Sequence, residues 1–326
     1  MLELAARSRN IFKPGQGKTP ALLVLMLVAL FSVTQSNFLS TGNISNVAIQ
    51  SSYLIIFALA QTYVMIVRGF DLSIGSTVSL ISVASSMAMS HALGLGFSPA
   101  MAISSGVITG IAIGLVVGLI NGVFVAVFRL NPFIVTLATM NICLGLASSI
   151  SNGFQIFNLP DGLNATFYQG SILGIPVPVV AAFVLVGLIH VVLTQMKIGR
   201  SSYILGANPQ AAFVAGIPVT SYLLLAYALC SALAACGAIL LTARTGSGEP
   251  NLGGNLMLES IAAAVVGGAS LRGGSGSAFT PVFGAVFITI LSNGMNLSRI
   301  DGYIQQMILG AIIICTAFGE YKGRGS

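Results

Sequence analysis

Between residues 21 and 319 the chain is a succession of apolar runs of about 20 residues, parted by short segments that carry most of its charge. A hydrocarbon core ~30 Å thick is crossed by about 20 apolar residues in helical form. In lipid, backbone amides must find their hydrogen bonds within the protein, which a helix does by itself. A β-barrel would instead alternate apolar and polar residues in shorter segments. Only 6% of the 326 residues are charged and 56% are hydrophobic, whereas soluble domains carry roughly a quarter of charged residues. The fold class is therefore an all-α polytopic membrane protein with the lipid bilayer as its solvent.

Ten spans are expected, at about 21–38, 44–67, 72–92, 99–128, 132–152, 175–196, 218–241, 256–271, 277–297 and 303–319. With the N-terminus inside, Arg68, Arg129, Lys197, Arg200, Arg272, Lys322 and Arg324 join Arg7, Arg9, Lys13 and Lys18 on the cytoplasmic side. Arg244 and Arg299 fall outside, beside Asp161, Glu249 and Asp301. The positive-inside rule selects this topology, with both termini cytoplasmic. The plan is a tail at 1–20, one transmembrane domain at 21–319 with a cytoplasmic loop at 197–217, and a tail at 320–326. The run "ALLVLMLVALFSV" (21–33) lacks a small-residue cleavage site and reads as a span, not a leader. The net charge of +6, so distributed, speaks of topology and implies no nucleic-acid partner.

Span four is long enough to tilt or break, and Gly106, Gly110, Gly114 and Gly118 give it a close-packing face. Span eight is short and runs into "GGASLRGGSGS" (267–277), which reads either as a broken helix beside a pathway or as a plain turn. The segments "RLNPFIVTLATMNI" (129–142) and "RIDGYIQQMILGAI" (299–312) are weakly alike. Arg129 falls inside and Arg299 outside, as an inverted repeat requires. A chance match of two apolar stretches is the competing explanation.

The interruption "KIGRSSYILGANPQAAFVAGIPV" (197–219) is too polar to span and too short for a domain. Within it "NPQAAFVAG" predicts one short helix, capped by Asn208, opened by Pro209 and closed by Gly216. Ala211, Ala212, Phe213, Val214 and Ala215 give it a small apolar surface, which either docks on a partner or tucks against its own bundle. In "RGFDLSIGS" (68–76), Asp71 is expected to cap span three by accepting from Ser73 or Ile74, with Arg68 within reach.

Gln61, Asn121, Asn141, Asn293 and Asn296 lie within spans, where an amide either joins helices or lines an aqueous path. Neutral amides and hydroxyls suit an uncharged hydrogen-bonding solute better than an ion. Glu259, toward the outer part of span eight, is the acid placed to take part. Catalytic and metal-binding constellations are missing. His91 and His190 stand alone, and Cys143, Cys230, Cys236 and Cys315 fall inside spans without disulfide or ligand spacing. "PGQGKT" (14–19) resembles the end of a phosphate-binding loop, but Phe12 stands where its first glycine belongs and Pro20 follows. No cofactor is expected, and any ATPase must be another chain.

Four motifs carry a family resemblance. "FDLSIGS" (70–76), with Asp71, Ser73 and Gly75, "NGVFVAVFRLNPFIVTLATM" (121–140), "YILGANPQAAFVAGIPV" (203–219) and "LESIAAAVVGGASLRGGSGS" (258–277) stand in the order found in ribose-type ABC-transporter permeases. The resemblance covers the chain from about residue 40 onward. It implies a permease subunit of the bacterial inner (plasma) membrane, without enzymatic activity, that pairs with a second permease chain as homodimer or heterodimer. The partners it implies are a cytosolic ATP-binding subunit and a periplasmic or extracellular sugar-binding protein. It further implies that residues 203–217, with Gly206, Ala207, Asn208, Ala211, Ala212, Phe213 and Gly216, form the coupling loop that contacts the ATPase. The chain departs from the family pattern at Arg68, usually glycine, at Phe213, usually arginine, and at Pro209 and Gln210, near which acids usually stand. Met257 replaces one of two acids, Glu259 being the other. A pentose, hexose, polyol or sugar-like signal molecule fits equally. The alternative is an ion-coupled secondary transporter of a small polar solute, which needs a titratable group near mid-membrane, with Glu259 the candidate. A membrane-embedded enzyme would need a His/Asp/Glu/Cys cluster that the sequence lacks.

Overall fold

The computed structural model describes residues 18–322, which form thirteen helices and one small hairpin. Arg7, Arg9, Lys13, most of the "PGQGKT" stretch and Arg324 lie outside the described residues. Helices α1 (Lys18–Thr34), α2 (Thr41–Ile66), α3 (Ile74–Gly94), α4 (Pro99–Ala126) and α5 (Pro132–Ile150) come first. Then follow α6 (Asp161–Phe167), the antiparallel pair β1 (Ser171–Ile172) and β2 (Ile175–Pro176), and α7 (Val177–Gln195). Two short helices, α8 (Lys197–Ala207) and α9 (Pro209–Val214), precede α10 (Val219–Thr245), α11 (Leu256–Gly267), α12 (Thr280–Leu297) and α13 (Gly302–Lys322).

Each expected span coincides with a helix. By length and composition six of them can cross a membrane: α2, α4, α5, α7, α10 and α12. The apolar parts of α1, α11 and α13 are shorter. Helix α3 is long enough, but its six serines, from Ser76 to Ser90, lower its hydropathy. It tolerates them because Ile74–Val83 is buried among other helices and away from lipid. The chain is a multi-pass, all-helical membrane protein.

Helix α2 is the central post: every residue from Ser51 to Ile66 is buried, against α7, α10, α11 and α12. Helix α4 is unbroken over 28 residues, with Pro99 in its first turn and the Ser98 hydroxyl accepting from the Met101 N–H. Its glycine row does pack closely, against α3 and α10. A Cβ on Gly114 would lie 2.7 Å from the Ser231 carbonyl oxygen, and one on Gly118 would lie 2.8 Å from the Ala228 Cα. Gly106 and Gly110 face Met89 and Ile81 in the same way.

Four helix junctions fall into two pairs. Helix α2 ends on Arg68 (φ 65°) and α10 on Gly246 (φ 67°), both left-handed, and each is followed by a non-helical segment, 69–73 or 247–255. The α4–α5 and α12–α13 turns carry Arg129 (φ 55°) and Arg299 (φ 56°). Two residues later, Asn131 and Asp301 accept from the N–H groups of Phe133 (2.9 Å) and Tyr303 (2.8 Å). The ends that follow the two breaks meet. Gly75 and Gly253 pack backbone to backbone, and the Gly253 N–H donates to the Ser79 hydroxyl at 3.0 Å. Helix α6 and β1 fall in the stretch 153–174 that the sequence left unassigned, while β2 takes the first two residues of the span expected at 175–196. Leu173 (φ 53°) and Gly174 (φ 79°) make the hairpin's two-residue turn, a conformation only glycine favours strongly.

Because the atoms facing Gly118 belong to backbone, they cannot swing aside. We predict that Gly118→Leu lowers the thermal midpoint of the detergent-solubilised chain by several degrees, an overpacking cost of about 1–3 kcal/mol or more. Gly145→Leu, at an open position on α5, is the control and should change it little.

Candidate translocation and coupling sites

Helices α8 and α9 project from one end of the bundle. Helix α8 is held to it by Gly206: a Cβ there would collide with the Ile66 carbonyl oxygen at the end of α2. The same carbonyl accepts from the Gly274 N–H at 2.8 Å, and the Tyr203 hydroxyl donates to the Gly276 carbonyl at 2.8 Å. The α8 helix, the end of α2 and the 268–277 loop thus form one joint. Gly273 and Gly274 both take positive φ there, which lets the loop fold back against Arg68 and Ala207. Asn208 caps α9, accepting from the N–H groups of Gln210 (3.0 Å) and Ala211 (3.1 Å), and Gly216 (φ 74°) ends it. Ala212 is buried, whereas Phe213 is 73% and Val214 82% exposed. Beside them a cavity of about 720 Å³ lies between the ends of α2, α4, α9 and α10 and is bordered by Arg68, Arg129, Gln210 and Phe213.

Asp71 accepts from the Ser73 N–H as expected, but the helix begins too late for that bond to cap it. Helix α3 starts at Ile74, and the carboxylate folds back onto Ser73, accepting from its N–H (2.9 Å) and its hydroxyl. A tight turn over residues 71–73 thus forms before the helix begins. Its second oxygen accepts from the Cys230 thiol at 3.7 Å, about three turns or roughly 16 Å into α10. Arg68 does not reach it and is exposed. The chain of bonds continues outward: Asn121 Nδ2 donates to Ser73 Oγ at 3.0 Å, and the Thr139 hydroxyl donates to Asn121 Oδ1 at 2.7 Å. One buried network therefore joins the first two motifs, across α3, α4, α5 and α10.

The other polar residues of the spans are dispersed. Asn293 exchanges two amide hydrogen bonds with Asn43, at 2.8 and 3.0 Å, and so ties α12 to α2. Asn141 is exposed and donates to the Leu137 carbonyl of its own helix. Asn296, also exposed, accepts from Gln305 at 2.8 Å. Glu259 lies in a second cavity, of about 270 Å³, between α11, α12 and α13, with Asn255, Ser292, Gln305 and Gln306 among its walls.

Residues 43–317 match the family described as branched-chain amino acid transport system / permease component. The chain belongs to this permease family. It is 35% identical to the ribose import permease protein of Bacillus subtilis over 306 residues, 93% of this chain and 92% of the other. With the D-allose transport system permease protein of Escherichia coli it shares 33% over 294 residues, 90% and 87% of the two chains. With the galactose/methyl galactoside import permease protein of Salmonella typhimurium it shares 34% over 304 residues, 90% of each. The resemblance carried by the four motifs is borne out. No solved structure matches the chain.

In this permease the sequence did not disclose Cys230 and Thr139 as members of the Asp71 network, nor Gln305 and Gln306 as walls of the Glu259 cavity. Two adjacent amides in the otherwise apolar "GYIQQMILGAI" were the available signal for the latter pair. Gln61 is fully buried in α2, and neither atom of its amide has a hydrogen-bond partner among the described residues. An unmet buried polar group costs about 1–3 kcal/mol. We therefore predict that Gln61→Met raises the thermal midpoint of the solubilised permease; a lowered midpoint would mean that the amide has a partner, such as an ordered water.

Proposed function

We propose that this chain is the membrane-spanning subunit of an importer that carries a monosaccharide or related polyol across the bacterial plasma membrane, powered by a separate ATP-binding subunit. Near-full-length similarity to permeases named for ribose, allose and galactose supports the sugar. The observation that carries the coupling role is α9. It is a rigidly capped helix that leaves Phe213 and Val214 to solvent, on a joint bonded directly to the central post. We infer that residues 197–217, with Gly206, Ala207, Asn208, Ala211, Ala212, Phe213 and Gly216, dock on the ATPase.

Orientation follows from charge. Arg68 and Arg129 border the cavity beside α9, and Gly273, next to Arg272, packs on Arg68. This supports placing the α9 end in the cytosol, with both termini on that side and ten crossings in all. The paired junctions at Arg68 and Gly246, and at Arg129 and Arg299, support an inverted repeat of α1–α5 and α7–α13. In such an arrangement the helices that start at Gly75 and Gly253 are counterparts, and the path runs beside them. The further partners are a second permease chain and a sugar-binding protein on the outer side. ATP binding would move α9, and through its joint would shift the bundle between outward- and inward-open packings.

The test is affinity purification of the tagged chain from its native membranes in mild detergent, with mass spectrometry of its companions. A cytosolic chain bearing a phosphate-binding loop should accompany it, and Phe213→Asp should deplete that chain at least tenfold while the permease still inserts. Gly206→Val, which forces α8 off Ile66, should abolish uptake with insertion intact. Repeated recovery without any ATPase, even after gentle crosslinking, would overturn the proposal and favour an ion-driven transporter.

A further inference from the structure

We propose that the cavity between α11, α12 and α13 is a hydrogen-bonding station for a neutral polyhydroxylated solute, with Glu259 as the acceptor that contacts it. This rests on the importer assignment above and adds the residues that hold the solute.

Three observations converge. The first is position. Gly284 packs against Ala263 and Gly267, and Gly267 against Thr280. This antiparallel register sets Glu259 opposite Ile288, roughly 12 Å along α12 from its first residue. Both residues line the cavity. Glu259 itself sits in the first turn of α11, and the cavity extends to Gly302 and Tyr303 at the start of α13. The second is an unpaired acid. The Glu259 carboxylate has neither a hydrogen bond nor an ion pair among the described residues. An acid in a membrane segment with no partner among the described residues is by default a candidate functional site.

The third is the chemistry of the walls. Gln306 Nε2 donates to Asn255 Oδ1 across the cavity at 3.2 Å, a long bond that leaves its other amide hydrogen and its oxygen free to meet a solute. Gln305 is engaged with Asn296 (2.8 Å) and the Ile300 carbonyl (2.9 Å), which fixes its position. Ser292 adds a hydroxyl, while Ile288, Leu291 and Leu309 add an apolar surface. A sugar hydroxyl donates one hydrogen bond and accepts others. Adjacent hydroxyls can donate to the two oxygens of Glu259 while accepting from the amide of Gln306, with the C–H faces of the ring against the leucines. A divalent cation is usually held by more than one carboxylate, whereas this cavity presents Glu259 as its single carboxylate. About 270 Å³ lies near the lower end of small-molecule sites and suits a single small ring.

The test uses the intact transporter, with its ATPase and binding protein, in native membrane vesicles. The probes are labelled D-ribose, D-allose and D-galactose, and for whichever is imported, its deoxy analogues. Glu259→Gln and Gln306→Leu should each lower uptake at least tenfold. Glu259→Gln should also shrink the preference for the sugar over one of its deoxy analogues, which a merely structural role would not do. ATPase recovery should match wild type, and Leu188→Ala, on the exposed side of α7, should stay within twofold. If Glu259→Gln inserts poorly, Glu259→Cys combined with Cys315→Ser replaces it: the imported sugar should slow labelling of that thiol by a water-soluble reagent at least threefold. Variants that import and discriminate as wild type does, or a thiol the sugar fails to protect, overturn the inference alone. A wild-type chain that recovers no ATPase and imports none of the three sugars overturns the importer assignment and this inference with it.

Discussion

Lipid gives helices no gain for burying apolar side chains against each other, so they associate by close backbone approach and dispersion. In this permease the constraint is met chiefly by glycine. From Gly106 to Gly122, α4 presents a side without Cβ atoms to α3 and α10. Backbone atoms of α10 fill that space at Gly114, Gly118 and Gly122, and side chains of Met89, Ile81 and Ile239 fill it at Gly106 and Gly110. The same device recurs where α11 meets α12, at Gly267 and Gly284, and where α8 meets α2, at Gly206. These contacts set the register of the bundle, and every polar interaction described above depends on that register. Asn121 faces Ser73 only because α4 lies so near α3.

Close packing also permits what lipid alone would forbid, namely backbone outside helices at membrane depth. Segment 69–73 is largely shielded by protein, as are Ser247, Gly248 and Gly253 in the second break, and several of their polar groups find partners in side chains. Asp71 takes the Ser73 N–H, Ser82 takes the Glu249 N–H at 3.1 Å, and Ser79 takes the Gly253 N–H at 3.0 Å. The serines that make α3 look too polar to cross a membrane are the acceptors for the second break. The segments converge on Gly75 and Gly253, where a shift on one side must be felt by the other.

Contacts run without a gap from the exposed α9 to the Glu259 cavity. Helix α8 bears on Ile66 and on the 268–277 loop, that loop continues the C-terminal end of α11, and Glu259 sits in the first turn of the same helix. With only 12 residues, α11 can act as one rigid piece between a joint at one end and the proposed solute site at the other. Such contiguity gives a physical route for coupling without a long or flexible relay.

Though it did not place α6 or α8, the sequence by itself determined the class of molecule, the places of the ten helices that match its apolar runs and the short capped helix at Asn208, because these rest on local properties: run length, amide capping and the φ freedom of glycine. It also marked the glycine row of α4, since periodicity is visible along one helix. Only the tertiary structure decided what the polar residues do. Asn121 and Asn293 became ties between helices, Asn141 faced outward, and Asp71 closed a turn and reached Cys230. Glu259 was left lining a cavity. An amide in a span is the same residue whether it meets another helix, the bilayer or a solute. Its neighbours come from segments as much as 250 residues away, as in the pair of Asn43 and Asn293, and those neighbours are set by helix packing.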